Sequence, residues 1–235
     1  MVSSDAKQLG TTCCNEVKDR LTIRSFHRSD QKQCVQIFVD GFQDFVKDLA
    51  VVTLKKLSRY IGLAAVFTLL AALLWSTWIF VVFVFIILIL FTVFYIYLHV
   101  ASYKIINYCK KTDMRDIKKG YMSDEGNHMW VAELCGEVVG MVGLRHHEKH
   151  EPGVFQLQRM YVVPCYQRMG IGKRLLTEVI THAKKHRMKM IILTTSNCQV
   201  PAIQLYMKCG FKVATRSSSG LLYDVTNFKL EISSP

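Results

Sequence analysis

The chain has 235 residues, of which 51% are hydrophobic and 20% are charged, and its 30 Lys and Arg exceed its 18 Asp and Glu for a formal net charge of +12. The apolar residues are very unevenly distributed, because no Asp, Glu, Lys or Arg occurs between Arg59 and Lys104. This composition excludes a disordered or collagen-like chain and a protein that is soluble along its whole length.

The eight cysteines are scattered along the chain, without a C-x-x-C pair or histidines at zinc spacing. This pattern is typical of reduced thiols that face the cytosol. For the adjacent Cys13 and Cys14, attachment of an acyl chain is the alternative to a free thiol. Because Met1–Gly10 contains no apolar run, we expect no cleavable signal peptide and assign membrane targeting to the internal apolar segment.

The first part of the chain, residues 1–59, predicts one strand and one helix. Leu21–Ser25 alternates apolar and polar residues, as a half-buried strand does. Ser29 or Asp30 can cap a helix that continues to about Phe45. We therefore assign this part to the start of a soluble fold.

The uncharged stretch of residues 60–103 is more than twice as long as the ~20 residues that one membrane helix needs. Two helices or a re-entrant hairpin therefore fit better than one crossing. Polar groups and interfacial aromatics at Trp75–Trp78 place the turn there. One long tilted helix is the alternative, since no Gly or Pro marks the turn.

Basic residues flank both ends of the apolar stretch: Lys55, Lys56 and Arg59 before it, and Lys104, Lys110 and Lys111 after it. Positive charges beside membrane helices favour the cytoplasmic side. We therefore predict that both flanks are cytosolic. This requires an even number of crossings, or a segment that dips into the membrane and returns.

Residues 104–235 alternate between strand and helix patterns. A short helix is expected from Thr112 to Gly120, and Cys135-Gly136 is typical of a hairpin turn. Strands are predicted at 129–134, 137–144, 155–163, 190–194, 212–215 and 222–230, and helices at about 173–184 and 201–209. The pattern predicts a mixed α/β or α+β fold.

A glycine-containing loop, Gln167–Lys173, separates the third of these strands from the following helix. Its glycines let successive N–H groups converge, and the helix N-terminus adds about half a positive charge, so the loop favours a phosphate or pyrophosphate. A P-loop needs Gly at 167 and Ser or Thr at 174, and a dinucleotide-binding fingerprint needs Gly at 175. The chain has Gln167, Arg174 and Leu175, which excludes both.

The loop follows the pattern Gln/Arg-x-x-Gly-x-Gly/Ala, and it resembles the pyrophosphate loop of the GNAT superfamily of N-acetyltransferases. Ala202–Phe211 is similar to that superfamily's A-x-x-L-Y-x-x-x-G-F helix. The segments T-D-M-x-D-I from Thr112, W-V-A-E from Trp130 and E-V-V-G-M-V-G from Glu137 are similar to the camello-like membrane N-acetyltransferases, which include cysteine-S-conjugate N-acetyltransferase and N-acetylaspartate synthetase. The resemblance implies a mixed central sheet, interrupted by a membrane hairpin, and an acetyl-CoA-binding core at 104–235.

The resemblance also implies roles for individual residues. The backbone N–H near Val162 would hydrogen-bond the thioester carbonyl, and Tyr206 would protonate the departing thiolate. The pyrophosphate of acetyl-CoA would be bound by the loop residues Gln167, Arg168, Met169, Gly170, Ile171, Gly172 and Lys173. A packing role for Tyr206 and a solvated charge for Arg168 are the alternatives, and no metal is expected.

Two positions depart from the pattern of many relatives: Gln156 replaces the Glu of histone-type members, and Gln199 replaces Asn. The general base is therefore unassigned, with Glu133, Glu148 or a water chain as candidates. The segment Arg145–Glu151 suggests a metal site, but we assign it to a solvated loop or to the lip of the amine site.

The resemblance implies that the acceptor is a cysteine S-conjugate or a protein lysine. Aspartate is the alternative. Arg145 and Arg159 are candidate partners for an acceptor carboxylate, and strand or loop salt bridges are the equal alternative for both. The cations of 184–189 lie at a helix C-terminus without interleaved aromatics, so we predict no nucleic-acid partner. The positive charge suits anionic lipid head groups and CoA phosphates.

Family resemblance places the protein in endoplasmic reticulum or Golgi membranes with a cytosolic active site. A non-catalytic CoA-binding membrane protein is the alternative function.

Overall fold

The protein is described by a computed structural model that covers residues 20–74, 77–147, 149–218 and 224–232. Its helices are α1 (Gln31–Leu74), α2 (Thr77–Lys111), α3 (Ile117–Tyr121), α4 (Ile171–Lys185) and α5 (Val200–Lys208). Its strands are β1 (Leu21–Ser25), β2 (His128–Leu134), β3 (Glu137–His146), β4 (Val154–Val162), β5 (Met190–Ser196), β6 (Lys212–Ser218) and β7 (Asp224–Glu231). Short 3-10 turns precede α1 and α4, at Arg28–Asp30 and Pro164–Tyr166.

The seven strands form one sheet in the order β1-β2-β3-β4-β5-β7-β6. Strands β4 and β5 pair in parallel, whereas the other neighbouring pairs are antiparallel. This mixed sheet confirms the predicted α/β (α+β) fold class. The predicted start of the last strand, at 222, lies outside the described residues.

Helices cover both faces of the sheet, because alternate residues of a strand point to opposite faces. On β2, Trp130 packs in a core with α4, whereas Met129 and Val131 pack in a second core with the start of α1. Helix α4 buries Leu175 and Val179 against the first of these cores. The sheet is therefore the middle layer of three.

Helices α1 and α2 form an antiparallel hairpin. Cys34 near the start of α1 packs with Cys109 near the end of α2, and Leu49 packs with Leu98 further along. At 1.5 Å per residue, α1 is about 66 Å long and α2 about 52 Å. The predicted end of the first helix near Phe45 is wrong, because no proline or helix-stopping cap follows and α1 continues into the apolar stretch.

The predicted turn of the hairpin includes residues 75–76, which lie outside the described residues. The domain boundaries predicted after 59 and after 103 fall inside continuous helices, so that division stays a prediction. Among the described residues, one helical segment, Val81–Lys111, is long and apolar enough to cross a membrane by length and composition. An 18-residue stretch of this segment has a mean hydropathy of 3.0, and 6% of that stretch is buried inside the protein. Most of its apolar surface is therefore uncovered by the protein.

Both ends of the hairpin return to the same sheet. Strand β1 precedes α1, and it pairs with β2, which follows α2, from Leu21 opposite Leu134 to Ser25 opposite Trp130. The helix expected at Thr112–Gly120 is shorter than predicted and becomes α3. It is capped by Asp116, whose carboxylate accepts the Lys119 N–H at 3.0 Å.

Candidate active site

A cleft opens at the centre of the sheet, where β4 and β5 separate. The two strands pair only from Val154 opposite Met190 to Gln156 opposite Ile192. Beyond these positions they enclose a cavity of about 390 Å³, lined by Leu157–Tyr161 of β4 and Leu193–Ser196 of β5. Helices α1 and α5 also line this cavity.

A β-bulge shapes the β4 side of the cleft. The register with β3 shifts between the pairs Met141–Tyr161 and Gly143–Gln158, so one residue of β3 faces two residues of β4. One of these two residues, Arg159, has a φ of 54°, which is unusual for a side chain of its size. The bulge re-aims the strand next to the cavity.

A buried ion pair holds this bulge in place. The guanidinium of Arg159 donates to both carboxylate oxygens of Asp113, at 2.8 and 2.9 Å, and lies 4.8 Å from the ring centroid of Phe38. Tyr121 donates its hydroxyl to the same carboxylate at 2.7 Å. Burial acts to raise the pKa of Asp113, but the hydrogen bonds and charge of Arg159, together with the hydrogen bonds from Tyr121 and Thr112, outweigh it and hold the pKa below its usual value. Arg159 is paired with Asp113, which favours a salt-bridge role for it over binding of an acceptor carboxylate.

The main-chain amide of Val162, one residue beyond the part of β4 that lines the cavity, points away from β3. Val162 lies opposite Gly140, and the next residue, Val163, donates its N–H to the Val139 carbonyl at 2.9 Å. Because hydrogen-bonded and non-hydrogen-bonded pairs alternate in an antiparallel ladder, Val162 belongs to a non-hydrogen-bonded pair and its N–H points away from β3. Its carbonyl accepts from Gln167 Nε2 at 2.9 Å. The Val162 amide is therefore directed towards the β5 side.

The loop after β4 leads into α4 and leaves the N-terminus of that helix uncapped by a side chain. Arg168 and Gly170 have φ values of 63° and 84°, and Gly170 caps α4 without a side-chain hydrogen bond. The Gly170 carbonyl accepts the first intrahelical bond, from Arg174 N–H at 3.1 Å, so the amides of 171–173 precede the helical ladder. A Cβ at Gly170 would meet nothing within 4 Å. The arrangement is the kind that binds an anion.

The second glycine of the loop has a different role from the one predicted. Gly172 lies inside α4, and a Cβ there would be 2.9 Å from Leu205 Cδ2 and 3.4 Å from Met160 Cε. Its small size therefore lets α4 approach α5 and β4 closely. The prediction that both glycines turn the loop holds for Gly170 alone.

Tyr206 lies on α5 with its ring against the core and lines the cleft. The residue is 7% exposed, and its ring centroid is 5.8 Å from that of Phe211 and 6.1 Å from that of Phe228. Its hydroxyl makes no hydrogen bond to another described residue. Burial raises the pKa of the phenol, so Tyr206 stays protonated and suits proton donation rather than proton abstraction.

The two glutamines that replace acidic and amide residues of relatives are both engaged. Gln156 accepts from Gln158 Nε2 at 2.8 Å, along one face of β4. Gln199 accepts from Thr195 Oγ1 at 2.8 Å and lines the cleft. Neither amide can act as a base.

The candidate bases named from the sequence lie elsewhere or outside the described residues. Glu133 is on β2, where it pairs with Arg24 rather than lining the cleft. Glu148 lies outside the described residues. The identity of the base therefore stays open, with a water chain as the candidate that the described residues allow.

The segment Arg145–Glu151 lies at the opposite end of β4 from Val162. Arg145, His146 and His147 line a separate cavity of about 630 Å³. The His146 ring is hydrogen-bonded to the Val154 carbonyl at 2.9 Å. Within the described ranges, no group of three or more His, Cys, Asp or Glu could hold a metal ion.

Sequence reasoning missed the wall that α1 contributes. Four of its residues line the cleft: Phe38, Gly41, Phe42 and Phe45. Opposite them, Tyr161 donates its hydroxyl to Asp44 Oδ2 at 2.8 Å. Burial, and then Asp44, raise the pKa of this phenol. The spacing of the phenylalanines indicates a buried helix face, but spacing cannot tell which strand that face covers.

Comparison with known proteins identifies the class to which this fold and cleft belong. Residues 94–211 match the model of the Acetyltransferase (GNAT) family. The chain belongs to this family, and it is an acetyl-CoA-dependent N-acetyltransferase. The family predicted from the loop and the A-x-x-L-Y helix is thereby confirmed.

Individual relatives narrow the resemblance. The chain is 33% identical over 205 residues to N-acetyltransferase 8 of Mus musculus, covering 85% of this chain and 88% of that protein. It is 31% identical over 191 residues to N-acetylaspartate synthetase of Rattus norvegicus, covering 81% of this chain and 62% of that protein. An acetyltransferase structure of the GNAT family from Staphylococcus aureus superposes with a TM-score of 0.57 at 16% identity, covering 91% of this chain and 99% of that one.

Proposed function

We propose that this protein is a membrane-anchored N-acetyltransferase that moves the acetyl group of acetyl-CoA to a primary amine at the cytosolic face of endoplasmic reticulum or Golgi membranes. One observation carries the proposal. The outward Val162 amide lies one residue beyond the part of β4 that lines the cleft, and the open N-terminal turn of α4 lies against the lining residue Met160 through Gly172. An acyl group and a diphosphate need these two kinds of main-chain donor.

The diphosphate of acetyl-CoA lies against the loop in this proposal. Backbone amides from Gln167 to Lys173 donate to its oxygens, and the dipole of α4 adds favourable charge. Gly170 leaves room for this approach, since its position is open. The exposed side chains of Arg168 and Lys173 add positive charge at the same place.

The thioester lies across the cleft with its carbonyl oxygen at the Val162 N–H. The acceptor nitrogen, after losing a proton to water, attacks the carbonyl carbon and forms the C–N bond. The Val162 amide stabilises the negative charge that develops on the oxygen. The C–S bond then breaks, and the Tyr206 hydroxyl donates its proton to the departing thiolate. The second proton of the attacking nitrogen passes through water and restores the tyrosine hydroxyl.

We propose a cysteine S-conjugate or a protein lysine as acceptor. Aspartate is the alternative, which is supported by the likeness to N-acetylaspartate synthetase. That likeness spans 62% of the relative's length.

The α1–α2 hairpin is our proposed anchor. Large side chains on α2 lie open around the helix, with Phe85, Leu88 and Leu90 at 61%, 56% and 62% exposure. Burying such side chains in lipid is favourable. The pairing of β1 with β2 supports a hairpin that enters and leaves on one side, and the basic flanks favour the cytosolic side.

A fractionation experiment tests the anchor and its orientation. In microsomes that carry the full chain, we expect the protein to remain in the pellet after alkaline carbonate extraction. Protease added outside the vesicles should digest the sheet domain. Release by carbonate contradicts the anchor, and protection of the domain contradicts the cytosolic orientation.

The reaction is tested with the full chain in detergent, radiolabelled acetyl-CoA and a panel of primary amines. We expect acetylated amine well above the level of a Gly170→Glu variant. Gln156 and the absence of a carboxylate among the described lining residues favour a second candidate, a non-catalytic CoA-binding protein. Coenzyme binding without transfer to any amine would support that candidate.

A further inference from the structure

Among the described residues that line the cleft, the one cation is already paired with a carboxylate. Arg159 is the single charged residue among the described residues that line it, and its guanidinium is committed to Asp113 at 2.8 and 2.9 Å. An amino-acid acceptor would bring its α-carboxylate into this cavity without a counter-charge. Moving an ionised carboxylate out of water in this way is costly.

Acidic residues lie beside the cleft, where Asp44 accepts a hydrogen bond from the lining residue Tyr161. Asp40, Asp44 and Asp48 are spaced four residues apart on α1, which places them along one helix face. Burial and the hydrogen bond to Asp44 contribute most to raising the pKa of Tyr161. The negative charges of all three carboxylates raise this pKa further. Lys47 pairs with Asp44 at 2.9 Å but is 74% exposed, where solvent screens its charge.

The wall next to this acidic face is aromatic. The ring centroids of Phe38 and Phe42 are 6.2 Å apart, and those of Phe42 and Phe45 are 5.7 Å apart. These residues and Tyr161 line the cleft together. Aromatic faces bind apolar groups and attract a cation placed over them.

We propose that the acceptor is a cationic primary amine on an apolar or aromatic stem, with no carboxylate next to the nitrogen. The proposal rests on the function proposed above. Small arylalkylamines and the side chain of a protein lysine share this chemistry. The inference therefore narrows the acceptors proposed above and selects a protein lysine over a free cysteine S-conjugate, which carries a carboxylate beside the amine, as free aspartate does.

Equilibrium binding tests the proposal without relying on turnover. The probes are S-benzylcysteamine and S-benzylcysteine, which differ only by the carboxylate, and Nα-acetyl-lysine amide. The last of these represents a protein lysine, because its α-nitrogen is blocked and its ε-amine is free. Calorimetry with the full chain in detergent, with empty micelles as blank, should give S-benzylcysteamine an affinity on the order of 10-fold higher than S-benzylcysteine, the factor that corresponds to ~1.4 kcal/mol. The tighter of the two carboxylate-free probes identifies the source of the amine.

A matched pair of variants locates the effect. Asp44→Asn retains an acceptor for Tyr161 but removes the charge, so the preference for S-benzylcysteamine should fall by about threefold or more. Glu178→Gln removes an exposed carboxylate on α4 and should leave the preference unchanged. If Asp44→Asn does not fold, the comparison of probes on the unmodified chain decides alone.

The outcomes separate this inference from the proposed function. Equal or tighter binding of S-benzylcysteine, or binding of none of the probes, overturns the inference even when acetyl-CoA binds normally. The expected order of probes together with no acetyl-CoA binding would show a binding preference for carboxylate-free amines but would contradict the proposed function, and with it the role of the amine as acetyl acceptor.

Discussion

The two sides of the cleft differ in the part of the chain that carries their charge. On the α4 side, positive character comes from main-chain amides at the open helix N-terminus around Gly170. On the α1 side, negative character comes from side chains such as Asp44, next to aromatic rings. A main-chain site depends on backbone conformation, whereas a side-chain site depends on residue identity. A backbone change at Gly170 should therefore weaken the binding of acetyl-CoA alone. A side-chain change at Asp44 should weaken the binding of the acceptor amine alone.

The largest effect is expected from Gly170→Glu, on the α4 side. A carboxylate at the helix N-terminus would lie where the diphosphate is proposed to bind, and like charges about 4 Å apart cost ~4 kcal/mol at an effective dielectric of 20. We expect the Kd for CoA to rise roughly 10³-fold. Calorimetry with CoA measures this change, and S-benzylcysteamine should still bind.

The control for Gly170→Glu is Gly136→Glu. Gly136 also has a positive φ, 85° against 84°, and a Cβ at either position would meet nothing within 4 Å. The control introduces the same charge and the same backbone strain in the β2–β3 turn. A similar loss of CoA affinity in both variants would attribute the effect to strain and remove the loop from the binding site.

The next largest effect is expected on stability, at the Asp113–Arg159 ion pair beside Phe38 of α1. Asp113→Asn leaves the largely buried guanidinium of Arg159 without its partner charge, and breaking such a pair typically costs ~3–5 kcal/mol. We expect a large fall in the denaturation midpoint of the full chain in detergent. Glu231→Gln, which breaks an exposed pair with Lys229, should change the midpoint little. Unchanged stability in Asp113→Asn would return Arg159 to the list of possible acceptor ligands.

A smaller effect should distinguish chemistry from binding. Tyr206→Phe keeps the ring contacts with Phe211 and Phe228 but removes the proposed proton donor. General acid catalysis typically contributes 10²–10⁴-fold, so we expect kcat to fall about 10²-fold while the Kd for CoA is unchanged. Tyr108→Phe, at a residue that is 69% exposed, is the control. Full activity of Tyr206→Phe would leave Tyr206 with a packing role.

The α4 side could be predicted from the sequence because its determinants are local. Seven consecutive residues, Gln167–Lys173, contain the loop, and the helix of Tyr206 follows a short motif. Main-chain amides need little more than the right turn. The role of Gly172 was nevertheless mistaken, since its close neighbour Leu205 is remote in sequence.

The α1 side could not be predicted, because its contacts join distant residues. Asp44 and Tyr161 are separated by 117 positions, and Asp113 and Arg159 by 46. The bulge that re-aims β4 leaves no mark in the strand pattern. An acidic residue on a helix is usually a solvated one, and only its tertiary contact with a cleft residue gives it a possible function.

The smallest expected effect lies away from both sides of the cleft. Burial, and then the charges of His182 and His186, lower the pKa of His128 from 6.5 to about 4. The unfolded chain therefore binds a proton here at higher pH than the folded chain, so stability is full above pH ~6.5 and falls as the pH decreases towards 4. Because the ring is partly solvated, we expect Tm to fall by only about 2–4 °C between pH 7 and pH 5 on this account. His128→Gln should remove that part of the decrease, whereas His150→Gln should not, and an unchanged pH profile in His128→Gln would contradict the assignment.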